Sequence, residues 1–304
     1  MSNEADRPDQ DTGCERAEEV IALRIAPRTT DLGAFSVRRV LPARMQRRVG
    51  PWVFFDHFGP VEFDPGKGID VRPHPHINLA TVTYLFDGEI LHRDSLGSLQ
   101  TIEPGAVNLM IAGRGIVHSE RERPAVRAAR HGLHGLQLWL GLPEVDEQVA
   151  PAFLHYPAGD IPSVRVDGVS VTVIMGSAYG LQSPVRTFAD TLYVEARLSA
   201  GQALATPKAE ELAVYVVSGW ISIDGDRVDE HVMAVLAPAA HALIEASGDA
   251  RIVLIGGATL GERFIEWNFV SSRHERIEQA KRDWRQGRFP VVPGDEDEYI
   301  PLPD

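Results

Sequence analysis

Short runs of alternating apolar and polar residues recur along this chain, and they constrain its fold more than any other feature. Four clear examples, rich in β-branched side chains, are residues 35–40, 81–86, 169–174 and 193–198. Such alternation is typical of strands with one buried face, and close spacing between turn residues favours a sandwich or a barrel. The 27 glycines and 21 prolines agree with a loop-rich chain. The sequence therefore predicts an all-β fold.

Helical periodicity is convincing only near the end of the chain. Ile277, Ala280 and Trp284 fall on one helical face, and Gly287 is suited to ending the helix. Ser272 and Glu275 have the spacing of a capping box. We expect a short C-terminal helix whose apolar stripe covers a barrel surface.

An internal repeat indicates that the barrel is duplicated. YLFDGEI at residues 84–90 matches YVVSGWI at residues 215–221 in the pattern of tyrosine, two apolar residues, glycine and isoleucine. Both segments predict a strand, a glycine turn and a second strand. PAAH at 238–241 follows the second copy much as GRGIVH at 113–118 follows the first. We therefore predict two barrels, over residues 19–145 and 146–304, the second a degenerate copy, and the polar residues 1–18 before them are expected to form a disordered acidic tail.

Composition excludes several functional classes. Thirty basic and 43 acidic side chains give a net charge of −13, which disfavours direct binding to nucleic acid. Cys14 is the single cysteine, so neither an internal disulfide nor a thiolate metal site is expected. The chain lacks an apolar run near the ~20 residues of a membrane span, and its first twenty residues do not resemble a signal peptide. We expect a cytoplasmic monomer without a membrane partner.

Two pairs of potential metal ligands stand out. His74 and His76 are separated by one residue, as are His118 and Glu120, so each pair projects from one face of a strand. On neighbouring strands the two pairs would offer three imidazoles and one carboxylate, leaving positions open on the ion. An isolated His-x-His pair is more often two ordinary polar side chains. By the same parity, Glu122 could compete with Glu120.

Several other polar residues allow more than one interpretation. His92 and Asp94 could line the mouth of a site or form a polar turn. The basic run Arg38, Arg39, Arg44, Arg47 and Arg48 could contact a partner protein or be a solvated face. Acidic residues 295–298 are expected to be solvated. Each of the other histidines His57, His131, His134 and His155 is expected to be structural or on the surface. His131 and His134 are three residues apart, a spacing that does not place both rings on one strand face, so no site is expected there.

Specific motifs resemble known families. Gly68, HPH at 74–76, Gly88 and GRGIVH at 113–118 resemble the two motifs of the cupin superfamily. FDHFGP at 55–60, RPHPH at 72–76, HRDSLG at 92–97 and AGRGIVHSE at 112–120 resemble the pirin family, and the similarity extends over about residues 35–295. The resemblance implies a bicupin with one divalent metal, normally Fe(II), held by His74, His76, His118 and Glu120. In the second copy the positions of the first two ligands hold Ala205 and Pro207, and His241 alone is expected to be structural.

The resemblance also implies an activity of the quercetin 2,3-dioxygenase type. A flavonol or another chelating small molecule and dioxygen would be the substrates, with Glu120 as both ligand and catalytic base. Imidazole also suits Mn, Co, Ni, Cu and Zn. Many relatives carry a glutamate soon after the His-x-His pair, whereas residues 77–80 here end in Ala80 without a carboxylate. The alternatives are a redox-sensing metal protein that regulates a partner protein without turnover, and a purely structural metal.

Overall fold

The fold is almost entirely β, as the alternating sequence predicts. The computed structural model describes residues 19–31 and 35–303, so the predicted tail at 1–18 lies outside the described residues. In chain order the first twelve strands are β1 (Ile21–Ile25), β2 (Arg28–Asp31), β3 (Ser36–Leu41), β4 (Trp52–Phe63), β5 (Val71–His76), β6 (Leu79–Asp87), β7 (Ile90–Asp94), β8 (Leu99–Ile102), β9 (Val107–Ile111), β10 (Ile116–Arg121), β11 (His131–Gly141) and β12 (Ala152–Tyr156).

The second half of the chain is built in the same way. Its strands are β13 (Ser163–Val166), β14 (Val169–Met175), β15 (Ser177–Ala178), β16 (Leu181–Gln182), β17 (Thr191–Leu198), β18 (Ala203–Ala205), β19 (Glu211–Ser218), β20 (Ile221–Ile223), β21 (Asp226–Val228), β22 (Met233–Leu236), β23 (Leu243–Ala246), β24 (Ala250–Gly257), β25 (Phe264–Glu266) and β26 (Phe269–Ser271). The described residues also form two α-helices, α1 (Pro124–Arg127) and α2 (His274–Arg285).

Each half forms a barrel from one large and one small antiparallel sheet. In the first barrel a seven-stranded sheet, β12-β9-β6-β11-β4-β3-β2, faces a four-stranded sheet, β5-β10-β7-β8. In the second barrel the corresponding sheets are β1-β22-β19-β24-β17-β14-β13 and β18-β23-β20-β21. The seven-plus-four arrangement occurs twice, as the internal repeat predicts.

The two barrels exchange strands at the ends of the large sheets. β1 pairs with β22 of the second barrel, with Ile21 opposite Leu236, while β12 pairs with β9 of the first barrel. The predicted boundary between residues 145 and 146 therefore does not coincide with the limits of the two sheets. The exchange depends on pairing between segments distant in sequence, which alternation within one strand cannot reveal.

Glycines in the two repeat turns adopt a backbone conformation that other residues rarely take. Gly88 and Gly219 have φ of 82° and 78°. A Cβ added to Gly88 would lie 2.3 Å from the carbonyl oxygen of Gly132, and one added to Gly219 would lie 2.4 Å from that of Asp249. Both positions require glycine, because positive φ and a close backbone approach coincide there.

A continuous apolar core joins the barrels. It contains side chains from both large sheets, including Leu136 and Leu138 of β11 and Tyr193 of β17. The two repeat tyrosines also bond across this interface: Tyr84 donates to Glu195 Oε2 at 2.7 Å, and the Tyr215 hydroxyl lies 2.8 Å from His57 Nδ1. The side-by-side packing predicted for the barrels is thus built from the repeated strands.

The C-terminal helix lies where the periodicity predicts it, but its cap differs. Ile277 and Ala280 are buried against Ile77 and Phe269 in a small apolar cluster. The residue before the helix is Arg273, which makes no side-chain capping bond. The predicted capping box is therefore wrong, because the Ser272 hydroxyl instead donates to Glu147 at 3.1 Å.

The acidic run near the C-terminus is not simply solvated. Asp295 forms a two-bond ion pair with Arg121 of β10, each bond 2.7 Å long, and Glu298 binds the same guanidinium at 2.9 Å. The backbone N–H of Ile300 donates to the Pro73 carbonyl at 2.9 Å. Residues 290–300 are therefore held against β5 and β10, the two strands that carry the candidate ligands. This corrects the expectation of a solvated run.

Neither helix among the described residues has the length and apolar content required to cross a membrane.

Candidate metal centre

The small sheet of the first barrel brings three histidines together. β5 carries His74 and His76, β10 carries His118, and the antiparallel register sets His118 directly opposite His74. Cross-strand partners project from the same face of a sheet, so all three imidazoles point into the barrel. The His-x-His pair and the distant His118 therefore meet as the sequence predicts.

The three imidazoles form a compact and buried cluster. One nitrogen from each ring lies within 4.8 Å of the other two, a spacing that a single ion could bridge. The ring centroids are 4.4 to 5.0 Å apart. Exposed fractions of His74, His76 and His118 are 6%, 1% and 1%, so the cluster is almost entirely shielded from solvent.

Neighbouring carbonyls fix the orientation of the first two rings. His74 Nδ1 lies 2.9 Å from the Arg72 carbonyl oxygen, and His76 Nδ1 lies 3.0 Å from that of Asn268. A carbonyl can only accept, so each Nδ1 carries the proton and each Nε2 keeps its lone pair for a metal. The Asn268 carbonyl belongs to the loop between β25 and β26, which is remote in sequence.

The chemistry of the cluster fits a cation. Both ring nitrogens of His118 are buried without a hydrogen-bond partner, a costly arrangement that a metal bond would relieve. Burial lowers the pKa of His74 to about 4 and lowers those of His76 and His118 well below the ordinary value. The rings are therefore neutral at pH 7, the form in which imidazole binds metals.

Glu120 lies in the same cavity, beside the cluster. A bulge in the β10–β5 pairing falls between His118 and Glu120, and the carboxylate is outside the group of atoms within 4.8 Å. Gln137 Nε2 donates to Glu120 Oε1 at 3.2 Å. The Thr83 hydroxyl donates to Gln137 Oε1 at 2.7 Å, which fixes the amide with its NH₂ towards Glu120. Burial raises the pKa of Glu120 to about 7, although the Gln137 bond opposes that rise.

Glu122 does not compete for the cluster. Its Oε1 lies 2.8 Å from His131 Nε2 and accepts the backbone N–H of Ile69 at 3.2 Å. Glu122 lies just after the end of β10 and is held by His131 and Ile69, so it is not the alternative ligand that its position in the sequence allowed.

The histidines open onto a small cavity between the two sheets of the first barrel. Its volume is about 130 Å³. Fifteen residues line it, and most are apolar or aromatic: Phe35, Val37, Arg39, Phe54, Asp56, Phe58, Ile69, Val71, His74, His76, Ile90, His118, Glu120, Gln137 and Trp139.

An aromatic stack and an ion pair form the wall opposite the small sheet. Phe54 and Trp139 are stacked, with centroids 3.9 Å apart and planes 9° apart, and the Trp139 edge meets His76 at 4.9 Å. Arg39 lies 4.5 Å above Phe54 and makes two bonds to the Asp56 carboxylate at 2.8 and 2.7 Å. The interpretation of Arg39 as part of a solvated basic face is therefore incomplete, because Arg39 also lines the cavity.

Several cavity residues were missed as site residues by the sequence analysis. Asp56 and Gln137 belong to segments with alternating parity, FDHF and LQLW, so their inward faces could have been counted. Which sheet they face, however, depends on the barrel closing around them.

His92 and Asp94 are buried and do not line the cavity. His92 stacks on Phe153 with centroids 4.3 Å apart, and its Nε2 lies 3.0 Å from Asp94 Oδ2. Asp94 Oδ1 also accepts the backbone N–H groups of Leu96 and Ser98. The structure therefore favours the interpretation of His92 and Asp94 as a polar turn over a position at the mouth of the cavity.

Ala80 faces away from the cavity. Its side chain is fully buried in the core between the barrels. Thr81 and Thr83, the cross-strand partners of Trp139 and Gln137, are the β6 residues on the cavity face. A side chain at position 80 therefore points away from the cavity, whether or not it carries a carboxylate.

The second barrel holds an apolar core where the first holds the cavity. Side chains such as Leu204, Ile244 and Leu254 pack together there, and His241 is exposed. Another group of close potential ligands, Glu266, His274 and Glu278, lies around α2. The Lys281 ammonium already pairs with both of these glutamates.

Two tandem barrels with a three-histidine centre in the first define a metal-binding bicupin. The pirin family model matches residues 34–140, and the pirin C-terminal cupin domain model matches residues 193–290. The chain is 45% identical over 289 residues to a pirin-like protein of Caulobacter vibrioides, covering 94% of this chain and all of that one. The chain belongs to the pirin family.

Two further relatives extend the comparison. Human pirin is 34% identical over 265 residues, which cover 83% of this chain and 87% of the human protein. A crystal structure of quercetin 2,3-dioxygenase from Acinetobacter baumannii superposes with a TM-score of 0.86 at 33% identity, covering 93% of this chain and 95% of that one. The bicupin fold with its C-terminal helix is thereby confirmed.

Proposed function

We propose that this protein is a metal-dependent, ring-cleaving dioxygenase of the quercetin 2,3-dioxygenase type. One divalent ion, Fe(II), would be held by His74, His76 and His118, with Glu120 as fourth ligand and catalytic base. A flavonol would take up both atoms of dioxygen, open its central ring and release carbon monoxide. The observation that carries the proposal is the buried three-histidine cluster, with His118 unpartnered, at the end of an aromatic cavity.

The protein's own residues have distinct roles in this proposal. When bound, the metal supplies Lewis acidity and a redox couple. Glu120 would accept the proton of the substrate hydroxyl, because its carboxylate lines the same cavity as the three histidines. Gln137 holds one carboxylate oxygen of Glu120, which leaves the other oxygen for the ion or the proton. Phe54 and Trp139 exclude water and offer a flat surface to an aromatic ring.

Relatives and ligand chemistry support the class of reaction. The chain is 33% identical over nearly its whole length to the quercetin 2,3-dioxygenase of Acinetobacter baumannii. Imidazole and carboxylate ligands with open positions suit redox-active non-haem iron, while Mn, Co, Ni, Cu and Zn also bind imidazole. We choose iron because histidine and carboxylate ligands with open positions are typical of non-haem Fe(II) oxygenases.

Metal analysis followed by oxygen uptake tests the proposal. Protein purified without added metal should contain about one iron per chain, and quercetin should drive oxygen consumption above free iron. Carbon monoxide should appear in proportion to the oxygen consumed. Fully iron-loaded protein that consumes no oxygen with quercetin would refute the flavonol oxygenase.

A redox-sensing regulator is the second candidate function. The complete burial of the histidine cluster favours it, because the extra charge of Fe(III) is felt strongly in a low-dielectric barrel. Such a protein would change its affinity for a partner protein when its iron is oxidised, without turnover. Pull-downs of cell extract with the Fe(II) and Fe(III) forms, compared by mass spectrometry, distinguish this candidate from the oxygenase.

The cytoplasmic location and the monomeric state expected from the sequence are kept as parts of the proposal. Cell fractionation and size-exclusion chromatography with light scattering test them.

A further inference from the structure

The carbonyl that orients the His76 ring lies in a hairpin outside the sheets of both barrels. β25 and β26 form a two-stranded sheet of their own, and Trp267 and Asn268 make the turn between them. A two-stranded hairpin by itself is at best marginally stable in water. The position of the Asn268 carbonyl oxygen, 3.0 Å from His76 Nδ1, therefore depends on what holds this hairpin against the first barrel.

Apolar contacts bring the hairpin to the metal-bearing strand. Phe269 forms a parallel backbone bridge with Ile77, the residue that follows His76. Both side chains are fully buried in the small cluster that they share with α2. Apolar packing is not directional, so it brings the hairpin close without fixing the direction of its turn. A directional contact is needed for that.

Glu147 supplies directional contacts to both segments. Its side chain is 3% exposed, and all of its partners are donors. Oε2 accepts the side-chain amide of Asn78 and the hydroxyls of Ser271 and Ser272, each at 3.1 Å. Oε1 accepts the backbone N–H of Ser272 at 2.7 Å and lies 3.1 Å from Arg263 Nε. The Arg263 guanidinium pairs with the buried charge, so the carboxylate is stabilised in its ionised form.

The partners of Glu147 lie close in sequence to the two ends of the His76 bond. Asn78 follows His76 by two residues, and Ser271 follows Asn268 by three. Glu147 therefore joins the segment that carries the imidazole to the segment that carries its carbonyl acceptor. Asn78 itself is held in place, because Gln148 Nε2 donates to its Oδ1 at 2.8 Å.

From this network we propose that Glu147 is a positioning residue of the metal centre. Its carboxylate fixes the hairpin so that Asn268 accepts the His76 Nδ1 proton and the Nε2 lone pair faces the ion. Outer hydrogen-bond partners of a ligating imidazole contribute about 10- to 100-fold to metal affinity. The inference rests on the proposed metal-dependent function. It adds to that function a residue that is absent from the lining of the cavity.

Glu147→Gln tests the inference through metal binding rather than turnover. The amide has nearly the shape of the carboxylate, but its NH₂ group must face donors whichever way it turns. Co(II) is the probe, because its visible absorption depends on the geometry of its ligands. We expect the Kd of Co(II), measured by competition with a chromogenic chelator, to rise by about tenfold. The visible spectrum of bound Co(II) should also change, which a loss of stability alone would not cause.

Glu195→Gln is the matched control. Glu195 is also a buried glutamate, 2% exposed, which accepts the Tyr84 hydroxyl at 2.7 Å and pairs with Arg197 at 2.8 Å. It contacts neither the β25–β26 hairpin nor the cavity lining among its hydrogen-bond partners. This variant should lose stability in thermal melting, yet it should bind Co(II) with the Kd and the spectrum of wild-type protein.

Ser271→Ala is a milder variant of the same network. It removes one hydroxyl donor to Glu147 and leaves the carboxylate in place. We expect the Kd of Co(II) to rise by about threefold, with a spectral change in the same direction as in Glu147→Gln. It decides the question if Glu147→Gln does not fold.

The outcomes separate this inference from the proposed function. If folded Glu147→Gln binds Co(II) with the wild-type Kd and spectrum, or if Glu195→Gln weakens binding equally, the positioning role is overturned while the metal centre stands. If Glu147→Gln does not fold, an unchanged Kd and spectrum in Ser271→Ala overturn it. Wild-type protein that fails to bind Co(II) would contradict the proposed function itself.

Discussion

At the residue scale, the metal centre combines one histidine without a protein partner and two histidines that carbonyl groups orient. His118 is buried with both nitrogens unsatisfied, while the carbonyls of Arg72 and Asn268 orient the other two rings. Unsatisfied buried polar atoms are rare in folded proteins, because each costs about 1 to 3 kcal/mol. The cluster is therefore best understood as a prepared ligand set.

The first prediction concerns metal binding by these histidines. His76→Ala should reduce bound metal from about one ion per chain to background, because two imidazoles on separate strands hold an ion poorly. Elemental analysis by mass spectrometry measures the change. His241→Ala is the control, since His241 is exposed in the second barrel. Equal loss of metal in both variants would show that the site has been assigned to the wrong barrel.

Glu120 allows binding and proton transfer to be separated. Glu120→Gln should retain most of the metal, because the carboxylate lies beside the three-histidine group and an amide oxygen can still ligate. Turnover should fall by about 100-fold or more, since an amide cannot accept the substrate proton. Oxygen uptake and metal content are measured on the same sample. Unchanged turnover would exclude Glu120 as the base.

At the element scale, the C-terminal segment covers the outer side of the metal-bearing sheet. β10 alternates His118 and Glu120 inwards with Ser119 and Arg121 outwards, so one strand serves both the cavity and the covering segment. Ser119 is fully buried. The acidic run looked solvated in the sequence because its partner Arg121 lies 174 residues earlier in the chain. In the folded protein the two segments meet and form ion pairs.

Substitution of Arg121 should reveal how much its ion pairs with the C-terminal segment contribute to the free energy of unfolding. Arg121→Met should lower the free energy of unfolding by about 2 kcal/mol, because Asp295 is 9% exposed at the side chain and would lose its partner. Urea denaturation measures the loss. Arg130→Met breaks an ion pair with Glu62 whose side chains are 69% and 68% exposed, and it should cost less than about 0.5 kcal/mol. Equal effects would mean that the covering segment contributes no more than a surface pair.

At the scale of the whole molecule, the barrels meet through apolar side chains and a few buried polar groups. His57 of the first barrel touches Tyr215 of the second, and its Nε2 lies 2.8 Å from His134 Nε2. Burial, together with the neighbouring His134, Arg38 and His231, lowers the pKa of His57 to about 2. The interface therefore contains a histidine that the folded protein keeps neutral at pH 7.

This buried histidine predicts sensitivity to acid. The unfolded chain binds a proton at His57 as the pH falls below about 6.5, whereas the folded protein does not until about pH 2. Stability is thus fully present above pH 6.5 and declines below it, by up to about 2 kcal/mol at pH 5 from this residue.

The pKa values of the metal-centre histidines are also lowered, so these residues also reduce stability in acid. A comparison of variants is therefore needed to isolate the contribution of His57. His57→Gln should weaken the pH dependence of unfolding between pH 7 and 5, whereas His241→Gln should not. Urea denaturation of metal-loaded protein at several pH values measures both. An unchanged slope in His57→Gln would contradict the low pKa.

The sequence by itself determined the strands, the duplicated turn and three of the candidate ligands. Alternation, the glycines at 88 and 219 and the spacing of His74 and His76 are local properties, so they can be read without a fold. The C-terminal helix was predicted correctly from its stripe, but the capping box was not, since Ser272 binds Glu147 from another part of the chain.

Tertiary structure alone decided how these pieces are used. The exchange of β1 and β12, the Gln137 bond to Glu120, the Arg39–Asp56 pair in the cavity and the direction of Ala80 all depend on contacts between distant segments. Closure of the first barrel sets the cavity at about 130 Å³, while apolar side chains fill the second. The physical reason is that side-chain parity specifies a face of a strand, whereas only packing specifies what that face meets.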